Sequence, residues 1–410
     1  MPHETRQEYR IKGFYRETQF QETPIGKIPR DWAINKFSNL FSYVKGKRPR
    51  FLSGDSCDNC LPYLTADYLR SGKPLQFAKV ERDTIIVEEG DVLLIWDGSN
   101  AGEFFLGKKG ILASTMVKIQ PRKGDLLRSF MYYYAKYKFE QILKASTKGT
   151  GIPHIDNEVL NSLTMPIPPL KEQWGIAEVL SSVDNAIEAV ERLIEKLERI
   201  KQGLMQELLT KGIGHKEFKE TPIGKIPKEW QIAWLREIVE VRDKCRVPVK
   251  EQNRKPGPYP YCGANGIIDY VDGYTHDGEF VLLAEDGGFF GPFEKSAYVI
   301  RGKFWANNHV HVLKPLEGKI VSEFLMYYLN FADLRPFLTG STRPKLTQSA
   351  MLQIPVPLPP LEEQRRIASI LISIDDWIEV EKKRKELFER LKRGLMDLLL
   401  TGRVRVMVDG

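Results

Sequence analysis

Histidine and cysteine are scarce, six and four among 410 residues, which leaves little material for metal centres or thiol chemistry. Cys57 and Cys60 form a C-x-x-C in "CDNC", but Cys245 and Cys262 lie far away and seventeen residues apart. A zinc knuckle would need a second close pair, and the four cysteines fit a reducing compartment. Nowhere do eighteen apolar residues run together, and "MPHETRQEYRIKG" at the start has no apolar segment. Neither a membrane span nor a signal peptide is read, so a cytoplasmic location is expected. Catalytic signatures are missing as well: no G-x-x-x-x-G-K-[ST], no H-E-x-x-H, no G-x-S-x-G. "GDVLLIWDGSNAG" and "LLAEDGGFFG" put glycines after strands without spelling G-x-G-x-x-G, and they read as tight turns. "PIPPL" and "PLPPL" lack the polar residue before Pro-Pro that an amino-methyltransferase motif would carry. His309 and His311 in "NNHVHVL" alternate along an expected strand and share a side, with no third ligand nearby. A surface or DNA contact suits them better than a metal, and the chain reads as a non-catalyst.

What is present is ordinary for a folded protein: 42% hydrophobic and 10% aromatic residues. A chain of this length exceeds one core and suits two domains. The net charge of +7 fits an acidic partner such as nucleic acid, as it would fit many soluble proteins.

The dominant feature is repetition. "ETPIGKIPRDW" at 22–32 returns as "ETPIGKIPKEW" at 220–230, with nine of eleven residues identical at an offset of 198. "PIPPLKEQ" at 166–173 returns as "PLPPLEEQ" at 357–364, and "KQGLMQELLTKG" at 201–212 as "KRGLMDLLLTGR" at 392–403, both offset by 191. Two tandem copies of one unit follow. Each opens on a Pro/Gly-punctuated segment ending in Trp32 or Trp230 and continues into short β-rich runs broken by Gly and Asp. An aromatic helix, a polar loop, a Pro-rich extended run and a long helix complete each copy.

The first long helix is read over 172–209, with apolar residues at Ile176, Leu180, Val183, Ile187, Val190, Ile194, Leu197, Leu204 and Leu208, and Lys201 in the seam. The second, over 362–400, keeps Ile367, Leu371, Ile374, Ile378, Phe388, Leu395 and Leu399 but places Glu381 and Lys385 in the middle. Spacing of 4-3-4-3 is a heptad seam. Two separate amphipathic helices, each on its own domain, are the alternative; the matched length and position favour the helices pairing with each other, and an antiparallel pair would hold the globular regions apart.

Basic residues gather in loops at matched points. "KGKRPR" carries Lys45, Lys47, Arg48 and Arg50, and "RDKCRVPVKEQNRK" carries Arg242, Lys244 and Arg246. Polar loops later in each copy carry Lys148, Thr150 and His154, and Arg343 and Lys345. Together with Asn308 and His309 these are the candidate DNA contacts, because basic and amide side chains on Gly/Ser/Thr-rich loops suit phosphates and base edges. The copies diverge most in residues 45–120 and 243–310, as two readers of different half-sites would.

The ordered motifs "ETPIGKIP-x-x-W", "PPL-x-EQ" and "GLM-x-x-LLT", twice over with the heptad helices, resemble the specificity (S) subunit of type I restriction–modification systems from about Gln19 onward. The resemblance implies an α+β chain with two tandem α/β target recognition domains separated by two long helices paired as an antiparallel coiled coil. It divides the sequence into an N-terminal extension (1–21), a first recognition domain (22–165), a first spacer helix (166–213), a second recognition domain (214–355), and a second helix with a tail (356–410). It further implies a non-catalytic subunit that reads double-stranded DNA in two unequal half-sites, with helix length setting their gap. Two modification (M) subunits bringing S-adenosylmethionine, and restriction (R) subunits using ATP and Mg²⁺, would dock on it, and this chain would bind none of those cofactors. Ile25, Trp32, Ile223, Trp230, Leu204 and Leu395, in the repeated motifs, are the expected docking residues. "GTGIPHI" in the first copy matches the family's loop better than "TRPKLTQ" in the second, so contacts are not transferred between copies there. A stand-alone DNA-modifying enzyme and a coiled-coil adaptor without a nucleic-acid role are the competing readings; the missing cofactor motifs oppose one and the matched basic loops the other.

Overall fold

The structure, a computed structural model, describes residues 9–122, 126–146, 153–340 and 344–409. The chain folds into two compact units, 1–189 with 385–410 and 190–384. Each long helix therefore contributes residues to both units.

In the first unit a four-stranded antiparallel sheet runs in the order Phe104–Leu106, Val92–Ile95, Met116–Pro121, Phe41–Lys45. Val92–Ile95 is buried along its whole length. A second, five-stranded sheet of short strands packs beside it around Leu64, Leu93, Ile111 and Leu112. The second unit joins the equivalent strands into one six-stranded sheet: Val239–Val241, Val310–Pro315, His276–Ala284, Ala297–Ala306, Pro256–Gly263 and Gly266–Val271.

The repeated motifs form the same frame twice. "ETPIGKIP" is a two-stranded hairpin in both units, Phe20–Thr23 against Gly26–Pro29 and Phe218–Thr221 against Gly224–Pro227. Pro opens each turn, and the hydroxyls of Thr23 and Thr221 donate to the carbonyls of Gly26 and Gly224 at 2.6 Å. The Pro-rich runs are strands, Thr164–Ile167 pairing with Ala33–Lys36 and Pro355–Leu358 with Gln231–Trp234. The following prolines end them, and the long helices begin at once, Leu170–Thr210 and Leu361–Leu399.

The repeated spelling at each helix start is an internal clamp. The indole of Trp32 donates to Glu172 at 3.0 Å, and that of Trp230 to Glu363 at 3.0 Å. The neighbouring glutamines, Gln173 and Gln364, each accept a backbone N–H from the unit's aromatic helix region and donate to a proline carbonyl. Trp32 and Trp230 are 2% and 0% exposed. This corrects the expectation that they face a partner subunit: a buried indole with its one donor satisfied holds the unit closed. Each clamp also fixes the end of a long helix. Gly212 and Gly402 adopt φ +66° and +68°, and a Cβ on them would meet Trp230 Cζ2 at 2.6 Å and Pro29 Cγ at 2.4 Å. Only glycine allows both the left-handed turn and the close approach.

The coiled coil is antiparallel. In the first unit Lys392 pairs with Asp184 at 2.5 Å, and in the second Lys201 pairs with Asp375 at 2.6 Å. Each aspartate also accepts a phenol from the aromatic helix, Tyr133 at 2.9 Å and Tyr327 at 2.7 Å. Lys201, an interruption of the seam in sequence, is thus one member of a Tyr–Asp–Lys group that occurs twice. Two other seam assignments change. Met205 and Leu209 are buried where Leu204 and Leu208 were expected, because the helix end rotates onto the second unit's core. Leu204 and Leu395 are half-buried against the cores of their own units.

The extension is part of the first unit. Arg10–Arg16 pairs antiparallel with Val404–Asp409, and Arg405 in the latter strand bonds Glu172, Asp31 and Glu17 at 2.6–2.9 Å. Cys57 and Cys60, read from the sequence as cysteines suited to a reducing compartment, instead form a disulfide, brought together by a turn in which Cys60 N–H donates to the Cys57 carbonyl.

Candidate nucleic-acid interface

The central strand of each unit ends in the same local structure. After Val92–Ile95 come Trp96 and Asp97; after His276–Ala284 come Glu285 and Asp286. In the first unit Trp96 N–H donates to Thr115 and its carbonyl accepts from Ile155; in the second Glu285 N–H donates to His309 and its carbonyl accepts from Leu346. These bonds carry the polar loop of each unit back to the strand end, where Asp97 bridges His154 and Asp286 bridges Lys345.

Several of the sequence-predicted cations converge on these aspartates. Lys45 pairs with Asp97 at 2.7 Å, and His154 is its backbone neighbour. Trp96 packs against Tyr43 with ring centroids 5.1 Å apart and planes tilted by 32°. Lys47 pairs with Asp83 at 3.3 Å and Arg50 reaches Glu81 only at 4.0 Å, both across a small cleft. Arg48 lines that cleft, exposed and without an ion pair among the described residues.

In the second unit His309 Nδ1 and Asp286 form a short contact, and Lys345 lies 2.7 Å from Glu285 and 3.8 Å from Asp286. Arg246 completes the group, 2.6 Å from Glu285 and 3.4 Å from Asp243. Its guanidinium is largely buried and also donates to the Val310 carbonyl. Arg246 was expected as a DNA contact; the structure turns it inward as the strut of an ion-pair network. Burial alone would raise the Glu285 carboxyl, but hydrogen bonds from Lys345 and Arg246 outweigh it and hold it below the usual carboxylate range. Arg242 pairs with Glu240 at the surface, while Lys244 and Asn308 are exposed. Lys148, Thr150 and Arg343 lie outside the described residues.

One grouping has the composition of a metal site. Asp243, Glu285 and His311 each bring one ligand atom within 4.8 Å of the others. Arg246 already bonds both carboxylates, and His311 is engaged at both nitrogens, by Asp243 at 2.6 Å and the Leu346 carbonyl at 2.7 Å. The guanidinium supplies the positive charge a metal would bring, so the donor set does not fit an added cation.

Sequence reasoning missed the acidic holders Asp97, Glu285 and Asp286. Their signal was the shared "DG" after an apolar run, read only as a turn. Also missed was the hairpin tip 263–268, whose Asn265 donates to the Gly287 carbonyl beside Asp286.

Two copies of the type I restriction modification DNA specificity domain match this chain, over residues 29–199 and 227–390. The chain belongs to the type I restriction–modification specificity-subunit family. It is 35% identical to the type I restriction enzyme MjaVIII specificity subunit of Methanocaldococcus jannaschii, over 97% of this chain and 98% of that one. A putative specificity subunit of Haemophilus influenzae is 45% identical over 37% of this chain and 39% of its own. The fold matches the crystal structure of the type I system S subunit from M. genitalium with a TM-score of 0.64 at 18% identity, covering 90% of this chain and 96% of that one. A chain from a structural study of complex assembly and conformational transition of the type I system matches at 0.53, with 18% identity, over 92% and 99%. Like other specificity subunits, this chain is a non-catalytic DNA-recognition component that works within a complex. No helix among the described residues is long and apolar enough to cross a membrane.

Proposed function

We propose that each unit reads one half of a split, asymmetric DNA target, through the face around Asp97 in the first and Asp286 in the second. The supporting observation is a shared backbone frame carrying different side chains: Lys45, Trp96 and His154 in one unit; Glu285, His309 and Lys345 in the other. A constant frame with divergent polar ends gives two readers of unlike sequence, and unlike readers give a non-palindromic target. Exposed Lys47, Arg48 and Lys244 supply phosphate contacts that position each reader.

The duplicated frame offers two M subunits equivalent docking surfaces, with the half-buried Ile25 and Ile223 at the hairpin turns among the accessible residues. S-adenosylmethionine belongs to those subunits, and ATP and Mg²⁺ to the R subunits, in a cytoplasmic complex with no membrane attachment.

The test is the methylome of a strain expressing this chain with its modification subunit. A split, asymmetric motif is expected, and exchanging residues 45–120 for those of a relative should change one half only. A palindrome, or a motif indifferent to the exchange, would refute the reading.

A further inference from the structure

Beside the network of the second unit lies a cleft of about 280 Å³ lined by Ala264, Asn265, Ile268, Asp286, Asn307 and His309. Its walls differ in chemistry. On one side Ile268 lies over Gly263, where a Cβ would meet its Cδ1 at 2.1 Å, and Ile268 remains 55% exposed. On the other, His309 is held by Asp286 through Nδ1 and by the Asn307 side chain, which accepts its backbone N–H at 2.8 Å. A carboxylate at Nδ1 fixes that nitrogen as N–H, so the neutral ring offers Nε2 as an acceptor. Nε2 has no protein partner among the described residues, and the ring is partly exposed.

We propose that this cleft reads an A·T base pair by its major-groove edge, with His309 Nε2 accepting from adenine N6 and Ile268 covering the thymine methyl. The proposal rests on the reading above that the second unit binds a half-site. The chemistry selects the pair. Guanine presents acceptors at N7 and O6, which repel a lone pair on Nε2; cytosine offers an N4 donor, but its pair carries no methyl. In unmodified DNA only A·T joins an amino donor to a methyl group in that groove. Asp286 is then a positioning residue, acting through the tautomer it fixes, and the hairpin tip places Ile268 against the same pair.

The experiment uses the full chain in complex with its modification subunit, on duplexes carrying the motif found by methylome sequencing. Within the second unit's half-site each thymine is replaced in turn by deoxyuridine, and each adenine by purine, which lacks the N6 amino group. For the wild type, one A·T position should lose about threefold to tenfold in affinity with either replacement. Ile268→Ala should erase the deoxyuridine effect and His309→Ala the purine effect, both at that one position. Both side chains are partly exposed, so the folded chain should survive the changes. A half-site without A·T, or variants that keep the full sensitivities, overturns the assignment. If the wild-type complex shows no split motif, the half-site reading itself has failed, which is a separate result.

Discussion

Trp230 donates its indole N–H to Glu363 across 3.0 Å, and Trp32 repeats the bond with Glu172 over the same distance. Both indoles are buried, so each bond satisfies a donor that has no access to water. Replacing Glu363 with Ala leaves that donor unpaired at a cost of about 1–3 kcal/mol. Chemical denaturation should show the loss for Glu363→Ala. Trp230→Phe, which removes the donor but keeps most of the apolar body, should recover part of it in the double variant.

The matched glycines at the helix ends permit a second test. Gly212→Ala and Gly402→Ala each force a Cβ against the clamp tryptophan or its neighbouring proline at positive φ. Each should destabilise by at least about 1 kcal/mol, measured as a lowered denaturation midpoint. Gly203, where an added Cβ meets nothing within 4 Å, is the control and should gain stability on conversion to Ala.

Glu381 is buried in the coiled-coil seam, where its Oε2 has no hydrogen-bond partner among the described residues and meets the Arg384 guanidinium only at 3.6 Å. An apolar residue of similar size removes that desolvation. Glu381→Leu should therefore raise stability by about 1 kcal/mol or more, and an unchanged or lower midpoint would show that the seam values its charge.

Stability of the second unit should depend on pH through His276. Burial pushes its imidazole below the usual histidine value, and it is stacked on Phe304 while accepting from Thr275 and donating to the Arg242 carbonyl. The folded state thus takes up its proton less readily than the unfolded chain. The sign follows: its contribution is complete above about pH 6.5 and is lost as pH falls below that value. Urea midpoints measured from pH 7.5 down to 5 should decline in the wild type and decline less in His276→Phe.

Cations on the reading faces should separate by role. Lys244→Ala and Arg48→Ala, exposed and unpaired among the described residues, should leave folding unchanged and reduce the salt dependence of DNA binding by about one counterion each. Arg246→Ala should lower stability instead, because it takes from the largely buried side chains of Glu285 and Asp243 the cation they share.

The duplication, the helix limits to within two residues and most of the heptad seam were legible in the sequence, because spacing and repeated spelling are local or periodic signals; the antiparallel pairing was implied by the family resemblance. The direction of a side chain is neither. A tryptophan kept in a repeated motif looks the same whether it clamps a core or meets a partner, and Trp32 and Trp230 were assigned to the wrong one. Asp97 and Asp286 escaped notice for a related reason. Their partners arrive from loops about sixty residues downstream in each copy or from other strands of the sheet, and no window of sequence joins them. Arg246 was read as a surface cation from its basic neighbours, yet Glu285, which turns it inward, lies 39 residues away.

The clamps also bear on how such a gene can change. Trp32 and Glu172 bracket the first reading segment as Trp230 and Glu363 bracket the second, with the same bond across each pair. A segment spliced between a tryptophan and a glutamate of this kind meets a waiting partner at both junctions. On the proposed reading, a segment exchanged between these repeated words would replace one half-site reader as a unit, and the tryptophan–glutamate bond at its ends would stay intact.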